Sequence, residues 1–103
     1  MSGFARTHVI VRLNDGVLIP LRHLVGEEVV TTNRGRNGGE ITGIVTGWKY
    51  RYCRYWHRTE VAVYFYSPEV GRRTWSYPKH LRLAYNDGRY DALRMLFDDE
   101  DFG

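Results

Sequence analysis

The residues whose types best suit a chemical task lie together at positions 48–58. These eleven consecutive residues contain five aromatic rings, four Lys or Arg side chains and no acid. Arginines bind phosphates and aromatic rings stack on nucleobases, so this composition favours contact with a nucleic acid. A protein partner fits the same residues, because Tyr, Trp and Arg dominate protein–protein interfaces. A third interpretation is structural: the rings pack in a small core, or at a subunit interface, and the charges are solvated.

Strand geometry narrows the candidate binding residues. If residues 48–52 are extended, the three rings share one face and the two cations the other, because side chains alternate along a strand. We expect some of these rings to be committed to packing, which leaves the turn beyond them exposed. A glycine-rich loop at 33–39 adds two exposed arginines. The predicted nucleic-acid- or partner-binding residues are Arg34, Arg36, Arg51, Tyr52, Arg54, Tyr55, Trp56 and Arg58.

No residue pattern indicates catalysis or a metal. Cys53 and His57 are four residues apart, which on a strand separates them by roughly 13 Å, and the chain has no second cysteine. Glu27 and Glu28 are adjacent, so on a strand they face opposite ways and are poor partners for acid–base work. The 33–39 loop lacks the Gly-Lys-Ser/Thr of a nucleotide-binding P-loop. We predict a non-catalytic protein without a cofactor, whose partner is DNA, RNA or another protein.

Size and composition bound the remaining possibilities. With 103 residues and 43% hydrophobic content, the chain is expected to form one globular domain over residues 1–103. Its single cysteine excludes an intrachain disulfide, which fits a cytoplasmic protein. No apolar run is long enough for a transmembrane helix, so we expect no membrane contact.

The net charge of +3 conceals two oppositely charged parts. Residues 1–85 hold thirteen Lys and Arg against six acids, whereas residues 86–103 hold two Arg against six acids. The acidic tail at 98–103 has two interpretations. It is a solubilising end, or it folds onto the basic surface and competes with phosphate.

Short strands joined by turns must position these residues. Residues 8–13 are rich in β-branched side chains, which favours a strand. Asn14-Asp15-Gly16 has the composition of a tight turn, and residues 17–21 are expected to form the returning strand. They predict an N-terminal hairpin over residues 8–21. Pro20 cannot donate a ladder hydrogen bond, so its strand ends there or lies at an edge.

The middle of the chain predicts further strands, at 28–32, 41–52, 59–66, 73–77 and 81–83. Alternation at 59–66 points Val61, Val63 and Phe65 to one side. Gly43 and Gly47 indicate a bend or a bulge. Helical spacing of apolar residues then predicts an amphipathic helix at 87–97, before the acidic tail.

Four segments share the motif order of a known family. They are Gly-Glu-Glu-Val-Val at 26–30, Ile-Thr-Gly-Ile-Val-Thr-Gly-Trp at 41–48, Val-Ala-Val-Tyr-Phe at 61–65 and Trp-Ser-Tyr-Pro-Lys-His-Leu-Arg at 75–82. This order resembles the small SH3-like barrels of the Tudor and KOW type, over about residues 26–83. The resemblance implies a mainly β fold, an SH3-like small barrel here flanked by an N-terminal β-hairpin and a C-terminal amphipathic helix. It also implies binding of nucleic acids, peptides or methylated side chains through aromatic residues at one rim.

Overall fold

The computed structural model describes residues 9–31, 39–93 and 95, which form a mainly β fold. The strands are β1 (Ile10–Arg12), β2 (Leu18–Pro20), β3 (Glu28–Thr31), β4 (Ile41–Cys53), β5 (Arg58–Ser67), β6 (Arg72–Ser76) and β7 (Leu81–Leu83). A four-residue helix, α1 (Leu21–Leu24), follows β2, and a 3₁₀ helix (Pro78–His80) precedes β7. β1 and β2 form a two-stranded antiparallel sheet, and the others form a five-stranded antiparallel sheet in the order β6-β5-β4-β3-β7.

The N-terminal hairpin follows from local sequence. Gly16 supplies the positive φ of 90° that its turn requires, and Leu13 N–H donates to the Val17 carbonyl at 2.8 Å. Pro20 pairs with Ile10 at the last position of β2, where its missing N–H costs least. The sequence analysis had not predicted α1, which begins immediately after this proline.

The hairpin and the five-stranded sheet share one hydrophobic core. Its buried members from the N-terminal part and from the sheet are Leu13, Val17, Ile19, Leu21, Leu24, Val29, Ile41, Val45, Val63, Phe65, Leu81 and Leu83. Val63 and Phe65 therefore face inward, as alternation along β5 predicted. The turn of the hairpin is also tied to β7, because Asn14 N–H donates to the Leu81 carbonyl at 2.8 Å.

The five-stranded sheet is not a closed barrel. Among the described residues, β6 and β7 are its two edges and do not pair with each other. Inside the sheet the backbones of β4 and β5 approach closely at Gly43, where a Cβ atom would collide with the Tyr66 carbonyl oxygen and the Phe65 ring. Only glycine fits this position without displacing β5.

The C-terminal part is described up to residue 93 and at residue 95. The predicted start of the helix at residue 87 is wrong, because residues 87–90 form a loop and a turn, whereas residues 91–93 and 95 are helical. Tyr90 packs against the core. Arg89 anchors this segment to the start of β3 through an ion pair with Glu27 at 3.3 Å, and it also contacts Asp87 at 3.1 Å. Parts of the predicted 87–97 helix and the whole acidic tail at 98–103 lie outside the described residues. No helix in the described part of the chain is long and apolar enough to cross a membrane.

Candidate functional site

β4 and β5 extend beyond the sheet as a two-stranded ribbon. β3 pairs with β4 only as far as Ile44, and β6 pairs with β5 only from Val63 onward. Residues 49–53 and 58–62 continue opposite each other, and no third described strand pairs with them. A turn at 54–57 closes the ribbon, and there His57 has a positive φ of 55°. The aromatic and basic run at 48–58 therefore forms one arm of the ribbon and its tip.

A β-bulge at Thr46 decides which side chains of the ribbon face outward. Val45 is buried in the core, and strict alternation from Val45 would place Lys49 and Arg51 on that same side. The register instead shifts between Val45 and Gly47. One extra residue reverses the alternation, so Lys49 and Arg51 lie on the outer face.

The outer face of β4, β5 and β6 carries interleaved rings and cations, which we call the aromatic–basic face. Its members are Lys49, Arg51, Tyr64, Arg73, Trp75 and Tyr77. The Arg51 guanidinium lies 4.3 Å from the Trp75 ring centroid, and its Nη1 donates to the Tyr64 hydroxyl at 3.4 Å. Lys49 Nζ and the Arg73 guanidinium lie 5.3 and 5.0 Å from the Tyr64 centroid.

Further rings continue the aromatic–basic face toward the tip of the ribbon. Tyr77 contacts Trp75 edge to face at 5.1 Å and lies 5.5 Å from Trp56, measured between ring centroids. Lys79 Nζ lies 3.1 Å from the centroid of the Trp56 ring, and Tyr55 contacts the same ring at 5.8 Å. A continuous row of rings thus runs from the sheet to the turn, with cations placed along it.

The contacts between cations and rings fix where the positive charges lie. A cation within about 6 Å of a ring centroid is attracted to the ring face by about 0.5–1 kcal/mol at exposed sites. Each contact orders a side chain that is otherwise flexible, while the outer N–H groups of the arginines stay available to a ligand. The ring face that a cation covers is closed to a nucleobase. The rings of this face therefore support the cations, and the ring most open to stacking is Tyr55, which is 83% exposed.

The opposite face of the ribbon carries rings that have no cation above them among the described residues. Trp48 is half-buried against the core and contacts Tyr50 edge to face at 5.5 Å. Tyr50 and Tyr52 are 56% and 60% exposed, because the ribbon extends past the sheet that would otherwise cover them. Trp48 is therefore used for packing against the core, whereas Tyr50 and Tyr52 remain on the surface.

The predicted site residues do not all lie together in the structure. Arg51 lies in the aromatic–basic face, and the half-buried Trp56 continues it. Arg58 forms an ion pair with Glu60 and lies 5.9 Å from the Trp56 centroid. Tyr52 lies on the other side of the ribbon, as the register of β4 requires.

The remaining predicted residues are in the turn and the glycine-rich loop. Arg54 and Tyr55 are exposed in the turn at 54–57. Arg34 and Arg36 lie outside the described residues, so their predicted contact with phosphate stays a prediction.

Sequence reasoning missed residues that are distant along the chain and close in space. They are Tyr64, Arg73, Trp75, Tyr77 and Lys79, and within the 48–58 run Lys49 was also missed. A signal was present, because alternation in the strand at 73–77 places Arg73, Trp75 and Tyr77 on one face. What the sequence lacked was the register that sets this face beside Tyr64 of β5.

The surrounding cations perturb Tyr64. The hydrogen bond from Arg51 lowers the pKa of the Tyr64 hydroxyl, and the positive charge of Lys49 acts in the same direction, against a smaller effect of burial. Both causes stabilise the phenolate, which is the form that positive charge favours. The shift therefore indicates a positive potential at this point of the face.

Cys53 lies beneath the aromatic row and is only 7% exposed. Burial raises the pKa of its thiol, but hydrogen bonds from the Tyr77 hydroxyl and from the backbone near Trp56 and Tyr55 outweigh burial and lower it. The same hydrogen bond raises the pKa of Tyr77, because this hydroxyl must keep its proton to donate it. Cys53 and Tyr77 thereby join the ribbon to the chain that follows β6.

Among the residues that the structure describes, acidic side chains do not neutralise the aromatic–basic face. Within the described part of the chain, Lys49, Arg51 and Arg73 form no ion pair with a carboxylate. Glu60 is paired with Arg58, and Glu69 accepts hydrogen bonds from residues of β4 and β5. The described residues therefore leave this face with a net positive charge.

Comparisons of the chain with protein-family models, curated proteins and solved structures found no match. Among residues 9–31, 39–93 and 95, no group of three or more His, Cys, Asp or Glu side chains is placed to hold a metal ion. Within the described residues this surface is a row of cations ordered by aromatic rings, an arrangement whose charge suits an anion.

Proposed function

We propose that the chain is a non-catalytic nucleic-acid-binding module that holds phosphates on the aromatic–basic face. The observation that carries the proposal is that Lys49, Arg51 and Arg73 each lie against a ring and, within the described residues, none is neutralised by a carboxylate. Ordered arginines suit phosphates, because the planar guanidinium donates two parallel hydrogen bonds to adjacent oxygens. A cytoplasmic location belongs to the same proposal.

The row of rings favours a nucleic acid over a small anion. Phosphates repeat along a strand, and the cations repeat along the face from Arg73 through Arg51 to Lys79. Tyr55, at the end of the row, is exposed and available to stack on a base, which contributes about 1–3 kcal/mol. The proposed arrangement has phosphates along the sheet and a stacked base at the tip of the ribbon.

The strand order supports an open version of the SH3-like arrangement, which we include in the proposal. β3 holds the opening motif of the resemblance and β7 holds its closing motif, and the two strands pair from Val29–Leu83 to Thr31–Leu81. β4, β5 and β6 follow as a meander. In this arrangement the extended β4–β5 ribbon carries the binding surface.

A salt-dependent titration tests the proposal. Fluorescently labelled single- and double-stranded DNA and RNA are titrated with the full chain, with anisotropy as the readout. Four phosphate contacts on a single strand predict a slope of log K against log salt of about −2.8, or about a 50-fold loss between roughly 50 and 200 mM salt. Absence of binding at the lower salt for all four nucleic acids would contradict the proposal.

A protein partner is the second candidate, favoured by the exposed rings on the other face of the ribbon. Tyr50 and Tyr52 have no cation above them in the described structure, and exposed tyrosines commonly anchor protein interfaces. A Tyr50→Ser/Tyr52→Ser double variant separates the candidates. Unchanged nucleic-acid affinity together with a shift from oligomer to monomer in sedimentation assigns this face to a second copy of the chain.

A further inference from the structure

A cavity of about 200 Å³ opens beside the ribbon, between the two sheets. β1 contributes Val11 and Arg12, β5 contributes Arg58, Glu60 and Val61, and the chain after β6 contributes Tyr77, Pro78 and Lys79. Tyr77 and Lys79 also contact Trp56, so this cavity adjoins the row of rings.

The end of β6 explains why the cavity exists. Ser76 is the last residue of β6 and pairs with Val63 of β5. Two residues later Pro78 has no N–H to donate, so β6 cannot continue along β5, and the chain turns into the 3₁₀ helix. The edge of β5 at 58–62 is thus left facing β1 across the cavity.

The wall of the cavity combines three kinds of chemistry. Val11, Val61 and Pro78 supply an apolar surface. Arg12 and Lys79 are exposed cations at the rim. Glu60 contributes a carboxylate, which its ion pair with Arg58 holds in place. A ligand that matches the apolar surface, the cations and the carboxylate has a flat apolar part, an anionic group and a hydrogen-bond donor directed at Glu60.

We propose that this cavity takes one cytosine nucleotide of the bound strand, an inference that rests on the proposed nucleic-acid function. An apolar cavity of about 150 Å³ holds benzene, so a volume of about 200 Å³ suits a single pyrimidine ring with its substituents. The phosphate of this nucleotide lies at Lys79, where the aromatic–basic face ends. The base packs against Val11 and Val61.

Glu60 selects cytosine over uracil. A carboxylate accepts a hydrogen bond from the exocyclic amino group of cytosine. Uracil has a carbonyl oxygen at the same position, and the carboxylate repels this oxygen. A pairing of this kind discriminates by about tenfold or more. Glu60→Gln places an amide there that can donate as well as accept, and this removes the preference.

The test uses isotope-labelled full-length protein and three probes: cytidine monophosphate, uridine monophosphate and inorganic phosphate. Amide chemical shifts locate each probe and give its affinity. We expect cytidine monophosphate to shift the amides of residues 58–61, Tyr77 and Lys79. It should bind about tenfold more tightly than uridine monophosphate, and more tightly than inorganic phosphate. In Glu60→Gln the two nucleotides should bind equally.

Two further variants separate the cavity from the surrounding charge. Lys79→Gln should weaken both nucleotides by about tenfold, because one charge-assisted contact to phosphate is lost. Arg72→Gln removes the same charge from β6 outside the cavity and should leave nucleotide binding unchanged. Equal affinity for the two nucleotides in the unmodified protein, phosphate binding as tight as the nucleotides, or shifts confined to Lys49, Arg51 and Arg73 would overturn the inference.

The oligonucleotide titration distinguishes failure of this inference from failure of the proposed function. Salt-sensitive strand binding without nucleotide shifts at the cavity overturns the cytosine assignment alone. Cytidine monophosphate binding without strand binding overturns the proposed function and makes the cavity a free-nucleotide site. Absence of both overturns both.

Discussion

Arg72 and Arg73 are neighbours on β6, and their comparison tests the aromatic–basic face directly. The Arg73 guanidinium lies 5.0 Å from the Tyr64 ring centroid, whereas alternation points Arg72 to the other side of the strand. Both residues are exposed. Arg72→Gln and Arg73→Gln therefore make the same change in net charge on opposite faces of β6. We expect little effect of either variant on folding.

The expected loss for Arg73→Gln follows from counterion release. One phosphate contact on a single strand changes the slope of log K against log salt by about 0.7, so its contribution is about eightfold at 50 mM salt and about threefold at 200 mM. Arg72→Gln should change affinity by less than about twofold at either salt, since it removes charge but no contact. The assay is fluorescence anisotropy with one labelled oligonucleotide across a salt series.

Two results would refute this reasoning. Equal losses for the two variants would mean that general positive charge, and not this face, attracts the ligand. An unchanged salt slope in Arg73→Gln would remove Arg73 from the phosphate contacts. Circular dichroism of both variants checks that neither result comes from unfolding.

Three further predictions concern the elements that support the face. Gly43→Ala should destabilise the fold by about 1–3 kcal/mol or more in urea denaturation, because its Cβ collides with the backbone of β5, whereas Gly47→Ala meets no atom within 4 Å and should differ little from the unmodified chain. Tyr77→Phe should raise the pKa of the Cys53 thiol, because it removes a hydrogen bond to the thiolate; ultraviolet titration of the thiolate measures this shift, and a lower pKa would contradict it. Hydrogen bonds from its own backbone N–H and from neighbouring donors lower the pKa of Glu69, so this group stabilises the fold at pH values above its unfolded pKa and the benefit is lost as pH falls through the folded one. Glu69→Gln should therefore reduce the melting temperature at neutral pH and have no effect in strong acid, and a loss independent of pH would rule this origin out.

Much of the fold is encoded in short segments. The turn at Asn14-Asp15-Gly16 specifies the N-terminal hairpin through residues that tolerate positive φ, and Gly16 has φ 90°. Alternation in β5 identifies Val63 and Phe65 as core residues before any partner is known. α1 escaped prediction because four residues are too few for a helical period to show.

The candidate site was predictable only in part. Positions 48–58 identified Arg51 and Trp56 by composition. The rings that support these cations come from β5, β6 and the segment after β6, and hydrogen-bond registers bring them together. The cavity beside Pro78 likewise needs β1, which is more than sixty residues away along the chain.

By itself the sequence determined the strand-rich character of the protein, its N-terminal hairpin and the concentration of rings and cations at 48–58, because propensity and alternation act over a few residues. Tertiary structure decided what those residues face. The bulge at Thr46 turned Lys49 and Arg51 outward, and pairing of β5 with β6 supplied Trp75 for Arg51 to stack on. Register, bulges and packing between distant segments depend on the whole sheet, so no single segment encodes the surface that we propose binds nucleic acid.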